Sequence, residues 1–391
     1  MEPSTNLYAA LAGYVGRPDQ TGRIGVFRRD AVGGEWQHVL PDLEAFTVVV
    51  HPRQPALVLA GTEDGVWRSE DRGATFARAD FPDKGKQIWS FLVDASNPDR
   101  VYAGGSPVDV YRSENRGKSW LRLPRPGIAE RAKAPFAARV MRMAQHPARP
   151  NEIYAALEVN GVIRTTDGGE TWEDCSADLI RLADLPHLQS KIVSDTFAEG
   201  MLDGHAIAIS SADPDTVILA VRMGLFRTAD RGRSWQDMEM KRFSPVTYGR
   251  DVRVSPQDPK TIYAALSVAA AGHDGGLYRS QDAGQTWRRF DKVQVHGTIM
   301  SVALHPTDPN QVYIGARYQG EVFGTQDGGR TWTALPLPGP VKDIYAVACG
   351  ISWIGFGALA SNNMRLHSAR QIAEPALWCQ QRRDFFRIDQ L

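Results

Sequence analysis

Gly161-Val162-Ile163-Arg164-Thr165-Thr166-Asp167-Gly168-Gly169-Glu170-Thr171-Trp172 is one copy of an aromatic hairpin that recurs seven times along the chain. The other copies run Gly65 to Phe76, Asp109 to Trp120, Gly224 to Trp235, Gly276 to Trp287 and Glu321 to Trp332, with a degenerate first copy from Gly25 to Trp36. Their turn residues are Asp30, Asp71, Asn115, Asp167, Asp230, Asp282 and Asp327, separated by 41, 44, 52, 63, 52 and 45 residues. That interval fits one four-stranded propeller blade plus variable loops. The period predicts an all-β fold, a seven-bladed β-propeller.

The hairpin carries its own physical logic. An Asp carboxylate in the turn accepts backbone N–H bonds, and a Gly two places later, such as Gly232 or Gly284, takes up a left-handed conformation without steric cost. The Ser or Thr two residues before the Asp adds a local hydrogen bond. The closing Trp fills the wedge between sheets, and deleting it when fully buried costs about 3–5 kcal/mol. The first half of each unit is two apolar strands around a Pro turn, as in Val302 to Pro306 and Val312 to Gly315. His51, His146 and His305 recur beside that turn, which marks them as structural.

The chain begins part-way through a unit: Leu7 to Ala10 matches a second strand, and Ile24 to Trp36 supplies the third and fourth. The missing first strand is expected from Ile344 to Ala348, closing the ring and removing exposed sheet edges. Residues 5–350 are thus expected to form the propeller and 351–391 an appendix. For that appendix two alternatives stand, a short helix over 368–386 with Ile372, Ala376 and Cys379 on one side, and a disordered terminus.

Composition narrows the function classes. Lys plus Arg and Asp plus Glu are both 45 in 391 residues, so no bulk electrostatic case exists for nucleic acid or an anionic membrane. The N-terminal residues lack a basic, then apolar, export signal, and no run of 18 apolar residues suggests membrane spanning, so cytoplasmic residence is expected. Three widely spaced cysteines, Cys175, Cys349 and Cys379, oppose a disulfide framework or Cys-rich zinc site.

The hairpins resemble the Asp-box, or BNR, repeats of sialidases, xyloglucan-cleaving glycosidases, sortilin-type receptors and the photosystem II assembly and stability factor. The resemblance covers about residues 5 to 350 and implies a propeller whose boxes lie away from the ligand face. Sialidases join an arginine trio to a Tyr-Glu pair and an acid-base Asp. Here Arg139, Arg222, Arg250, Arg317, Tyr248 and Glu158 offer similar chemistry, but Arg23-Ile24-Gly25 replaces the early Arg-Ile-Pro signature, and seven units exceed the six of a sialidase ring.

Propeller topology puts Pro turns and boxes on the bottom and leaves the uneven connections, notably 121–138 and 173–204, on top. Pro186 to Leu188 and Glu199 to Met201 are pieces of the longer one that could act as a lid. Aligning first strands places Phe46, Trp89, Met141, His205, Arg250 and Met300 at one level, with Arg139, Asp203, Tyr248 and Thr298 two residues earlier. Unlike structural positions, these differ from blade to blade. Arg139, Arg222, Arg250 and Arg317, with Trp89, are the expected substrate-binding set, because converging guanidinium groups grip a carboxylate, sulfate or phosphate. Glu158, His205, Tyr248, Asp251 and His296 are the expected catalytic set, supplying acid–base chemistry and water activation. No cofactor is expected; a divalent metal held by His and carboxylates is the lesser alternative. The function expected is a hydrolase, of the glycosidase kind, acting on a small anionic molecule. The competing expectation is a noncatalytic scaffold whose top face binds an acidic protein segment.

Overall fold

A computed structural model describes residues 3–353 other than 15, 32, 129, 132 and 133. The sequence there folds into seven four-stranded antiparallel sheets, each one blade of a β-propeller. The innermost strands are Asp343–Trp353 in blade 1, then Ala45–His51, Gln87–Val93, Arg139–His146, Gly204–Ser210, Tyr248–Val254 and Ile299–Leu304 in blades 2 to 7. Ring closure is as expected: the last strand, Asp343–Trp353, pairs antiparallel with the first, Pro3–Ala12, with Tyr8 opposite Ala348 and Leu7 opposite Cys349. Ile344 and Val347 then pack with Leu7, Leu11, Phe27 and Tyr313, joining the two ends of the chain to blade 7. The expected appendix, apart from the end of this strand, and the helix over 368–386 lie outside the described residues.

The box turns are built by one repeated set of hydrogen bonds. In blade 2 the Ser69 hydroxyl donates to Asp71 Oδ1 at 2.7 Å, Thr75 N donates to the same oxygen at 2.9 Å, and Thr75 Oγ1 donates to Oδ2 at 2.6 Å. Asp167, Asp230, Asp282 and Asp327 repeat the pattern, whereas Asn115 Oδ1 accepts from Ser119 N but its Nδ2 donates to the Ser119 hydroxyl. Two successive residues turn left-handed, Arg72 at φ 62° and Gly73 at φ 73°. The second must be glycine for a further reason: a Cβ at Gly73 would lie 2.6 Å from the Tyr8 ring of blade 1, and one at Gly232 would lie 2.6 Å from Cys175 of blade 4. The turn of each blade therefore seats against the blade before it. The recurring histidines serve turns as well; His305 Nδ1 accepts from Asp308 N at 2.9 Å and His146 Nδ1 from Arg149 N at 3.0 Å.

Every innermost strand carries a β-bulge at the same level. Pairing skips Phe46, Trp89, Met141, His205, Arg250, Met300 and Tyr345. A bulged residue is left unpaired and its side chain is re-aimed, and here all seven line one constriction of the central channel. Six of them were expected at one level from the sequence; Tyr345 is the seventh, contributed by the closing strand.

Candidate functional site

Above the constriction the top face holds a cavity of about 230 Å³. Its floor is the bulge ring. Phe46 and Trp89 stack with centroids 4.1 Å apart, and Tyr345 meets both edge-on. Its walls come from the irregular connections: Tyr14 in blade 1, Phe136 before blade 4, Ile192 and Val193 before blade 5, and Ala270 in blade 6. The 173–204 excursion contains two short helices, α1 (Ala177–Leu182) and α2 (Glu199–Leu202). Glu199 at the start of α2 accepts N–H bonds from Ile192, Val193 and Ser194. That clamp fixes the Ile192-Val193 wall, whereas neither expected lid piece, Pro186 to Leu188 or Glu199 to Met201, lines the cavity.

The four expected arginines come together from four different blades and all line this cavity. Arg139 Nη1 donates to Glu158 Oε2 at 2.8 Å, and its guanidinium is sandwiched between Trp89 and Phe136, 4.0 and 4.1 Å from the ring centroids. Arg250 approaches Glu158 Oε1 at 4.0 Å. Arg222 Nε donates to Asp203 Oδ2 at 3.3 Å. Arg317 lies 4.0 Å over the Tyr14 ring, donates to Ala270 O at 2.8 Å and stands 3.3 Å from Asp343. Among the described residues, four guanidinium groups thus face two lining carboxylates, Glu158 and Asp203. The third acid, Asp343, is fully buried behind Arg317, and burial raises its carboxyl above the usual value despite that neighbour. The balance leaves the cavity positive.

His205 is held by its Nδ1–H, which donates to Gly249 O at 2.6 Å. The ring therefore presents Nε2 to Tyr248 Oη and Asp203 Oδ2, each 3.2 Å away. Burial alone would raise the Asp203 carboxyl, but His205, Arg222 and Arg250 outweigh it and hold the group at about 2. Burial pushes the Tyr248 phenol up to about 12 against the opposing pull of Arg250. Glu158, Asp203 and His205 offer ligand atoms within 4.8 Å of one another, a group capable of holding a divalent metal. Both carboxylates are already engaged by arginine, so a cation would enter against the charge around it.

Two expected catalytic residues are not brought to the cavity. Asp251 is fully buried and points away from it, accepting from Arg142, Arg253, Val252 N and Val302 N. The bulge at Arg250 is the reason: the side chain after the re-aimed residue turns back between strands. His296 lies before its strand on the exposed rim, with Nδ1 2.7 Å from Glu321 Oε1. Trp89 stands beneath the cavity as the support for Arg139 rather than as a wall. Sequence reasoning missed Tyr14, Phe136, Ile192 and Tyr345; only Tyr345 carried a signal, its register with the other six bulges.

Comparison with known proteins gives partial likenesses. A family profile described as Sortilin-Vps10 (sortilin, neurotensin receptor 3) matches residues 64–183 and 275–349. The oligoxyloglucan-reducing end-specific xyloglucanase of Emericella nidulans is 25% identical over 207 residues, 49% of this chain and 23% of the relative. A xyloglucanase of Acetivibrio thermocellus is 26% identical over 249 residues, 54% of this chain and 26% of the relative. The chain thus spans about a quarter of the length of these curated relatives. Among solved structures, the GH74 xyloglucanase of Xanthomonas campestris has a TM-score of 0.55 at 19% identity, covering 74% of this chain and 45% of that one. YCF48 of Cyanidioschyzon merolae has a TM-score of 0.51 at 16% identity, covering 76% and 86%. These matches overturn the expected cytoplasmic residence, since sortilin, the xyloglucanases and YCF48 are secreted or lumenal proteins. No helix among the described residues is long and apolar enough to cross a membrane. The likeness to these solved structures shows the fold alone, which in this chain is a seven-bladed β-propeller.

Proposed function

We propose that the top-face cavity binds a compact anionic substrate and hydrolyses it. The observation that carries this reading is the convergence of Arg139, Arg222, Arg250 and Arg317 on one cavity with Glu158 and Asp203, above His205 at the constriction beneath it. Guanidinium groups grip carboxylate, sulfate or phosphate oxygens bidentately, and the aromatic faces beside Arg139 and Arg317 hold two of them in place. In this reading His205 Nε2 receives a proton from water or from the Tyr248 hydroxyl, with its tautomer set by Gly249 O. Glu158 serves as the acid–base carboxyl, while Asp203, held ionised, stabilises positive charge on His205.

Likeness to xyloglucanases supports glycosidase-type hydrolysis as the general class. The finer choice, a carboxylated glycoside, rests on charge. The ligand oxygens of Glu158 and Asp203 lie within 4.8 Å of one another, short of the roughly 6.5–9.5 Å carboxyl separation of inverting glycosidases. Screening anionic glycosides, esters and amides tests the reading, followed by Glu158→Gln and Arg250→Ala. Turnover is expected to fall at least about a hundredfold in Glu158→Gln, the scale of one general acid–base group. Undiminished turnover in folded Glu158→Gln would remove it from the chemistry. Retention of an acidic protein segment with no conversion of any small molecule would replace the enzyme by the scaffold reading.

A further inference from the structure

Below the bulge ring the central channel widens again into a second cavity of about 260 Å³, bounded by Arg142, Arg253, Val302, Val347 and the far ends of the innermost strands. Arg142 lines both the constriction and this lower cavity. Among the described residues, the only acid that reaches the two arginines is Asp251, with Oδ1 3.3 Å from Arg142 Nη2 and Oδ2 3.0 Å from Arg253 Nε. Its oxygens also accept from Val252 N and Val302 N at 3.0 and 2.9 Å. Asp251 is therefore saturated, whereas each guanidinium spends one N–H on it and Arg142 Nε, deeply buried, has no partner. An arginine carries five donors. The cavity thus holds two cations against one anion, with spare donors on one side and Val48, Val50, Leu304 and Val347 on the others.

We infer that the lower channel is a second binding site, distinct from the top-face cavity, for a small monoanion with a short aliphatic chain. The carboxylate would take the open donors of Arg142 and Arg253, neutralising the surplus charge, while the chain lies along the valines. Burial lowers the Arg142 guanidinium to about 10, with Arg253 adding to the effect against Asp251, a cost that a bound anion relieves. The cavity of about 260 Å³ has room for a short aliphatic carboxylate such as hexanoate.

Titration calorimetry with acetate, hexanoate and hexanol tests this in the wild-type protein, Arg253→Met and Arg222→Met, each checked for native circular dichroism. Hexanoate is expected to bind at one site per chain more tightly than acetate, with no comparable event for hexanol. Arg253→Met should weaken that event at least about tenfold, the lower range for a hydrogen bond to a charged group. Arg222→Met, which alters the upper cavity, should leave it in place, so failure of the top-face reading does not carry this one with it. Equal binding of hexanol, no saturable hexanoate binding, or loss in Arg222→Met with retention in Arg253→Met would each overturn the inference. Diffraction from crystals soaked in 6-bromohexanoate gives a second readout: bromine density beside Val302 and Val347 supports it, and density confined to the top face refutes it.

Discussion

Replacing Trp287 by alanine should destabilise the propeller far more than the same change at Trp172, although the two residues occupy equivalent places in their boxes. Trp287 is only 3% exposed and packs with Ile218, Leu266 and Tyr278 across the boundary between blades 5 and 6. Its indole N–H donates to Gly284 O at 3.2 Å. Truncating such a side chain costs about 3–5 kcal/mol. Trp172 is half-buried at the edge of its cluster, and its buried indole nitrogen has no partner, so less is lost, about 2 kcal/mol. With a urea m-value of about 3 kcal/mol/M or somewhat more for a chain of this size, Trp287→Ala shifts the midpoint by about 1 M and Trp172→Ala by roughly half that. Far-ultraviolet circular dichroism and fluorescence should be followed together, because separate transitions would show blades unfolding independently. A midpoint shift for Trp172→Ala equal to or larger than that for Trp287→Ala would refute the assignment of the box tryptophans' contribution to burial between blades.

Asp167→Ala should cost less than either tryptophan change, because it removes the turn bonds to Thr165 and Thr171 rather than core volume; the same urea titration reads it. Ending the chain before Lys342 removes the strand that pairs with Pro3–Ala12 and should leave no cooperative melting transition, whereas a native-like melt would show closure to be dispensable. Because the folded Asp203 carboxyl is depressed from 3.8 to about 2, its ion pairs contribute stability that is full above pH 4 and is lost as pH falls through 2. Urea midpoints between pH 5 and 2 should therefore fall less steeply in Asp203→Asn than in the wild-type protein, and parallel curves would contradict the cited pairing with His205 and Arg222. Arg139→Met should weaken binding of whichever anion the screen identifies by at least about tenfold, measured by calorimetry on protein whose circular dichroism is native.

The amino-acid sequence by itself determined the ring. Each box is a local device, with Asp71, Thr75 and Gly73 acting within five residues of one another, so its physics is complete in a short window and repeats legibly. Counting the windows gave seven blades, and the half-unit at Leu7 to Ala10 required a strand from the other end. Local pattern also indicated the level at which blades stop resembling one another, and the four arginines found there do share a cavity. What only the tertiary structure decided was direction and partnership. A bulge in each innermost strand aims Arg250 at the axis and turns Asp251 back to Arg142, a residue 109 positions away that no spacing rule connects to it. Tyr14, Phe136 and Ile192 reach the cavity on connections whose paths are set by the blades they cross rather than by their own sequence. The lower pair of arginines depends on the same cause: strand alternation is local, but the side chains facing each other across a closed ring are chosen by how the ring closes.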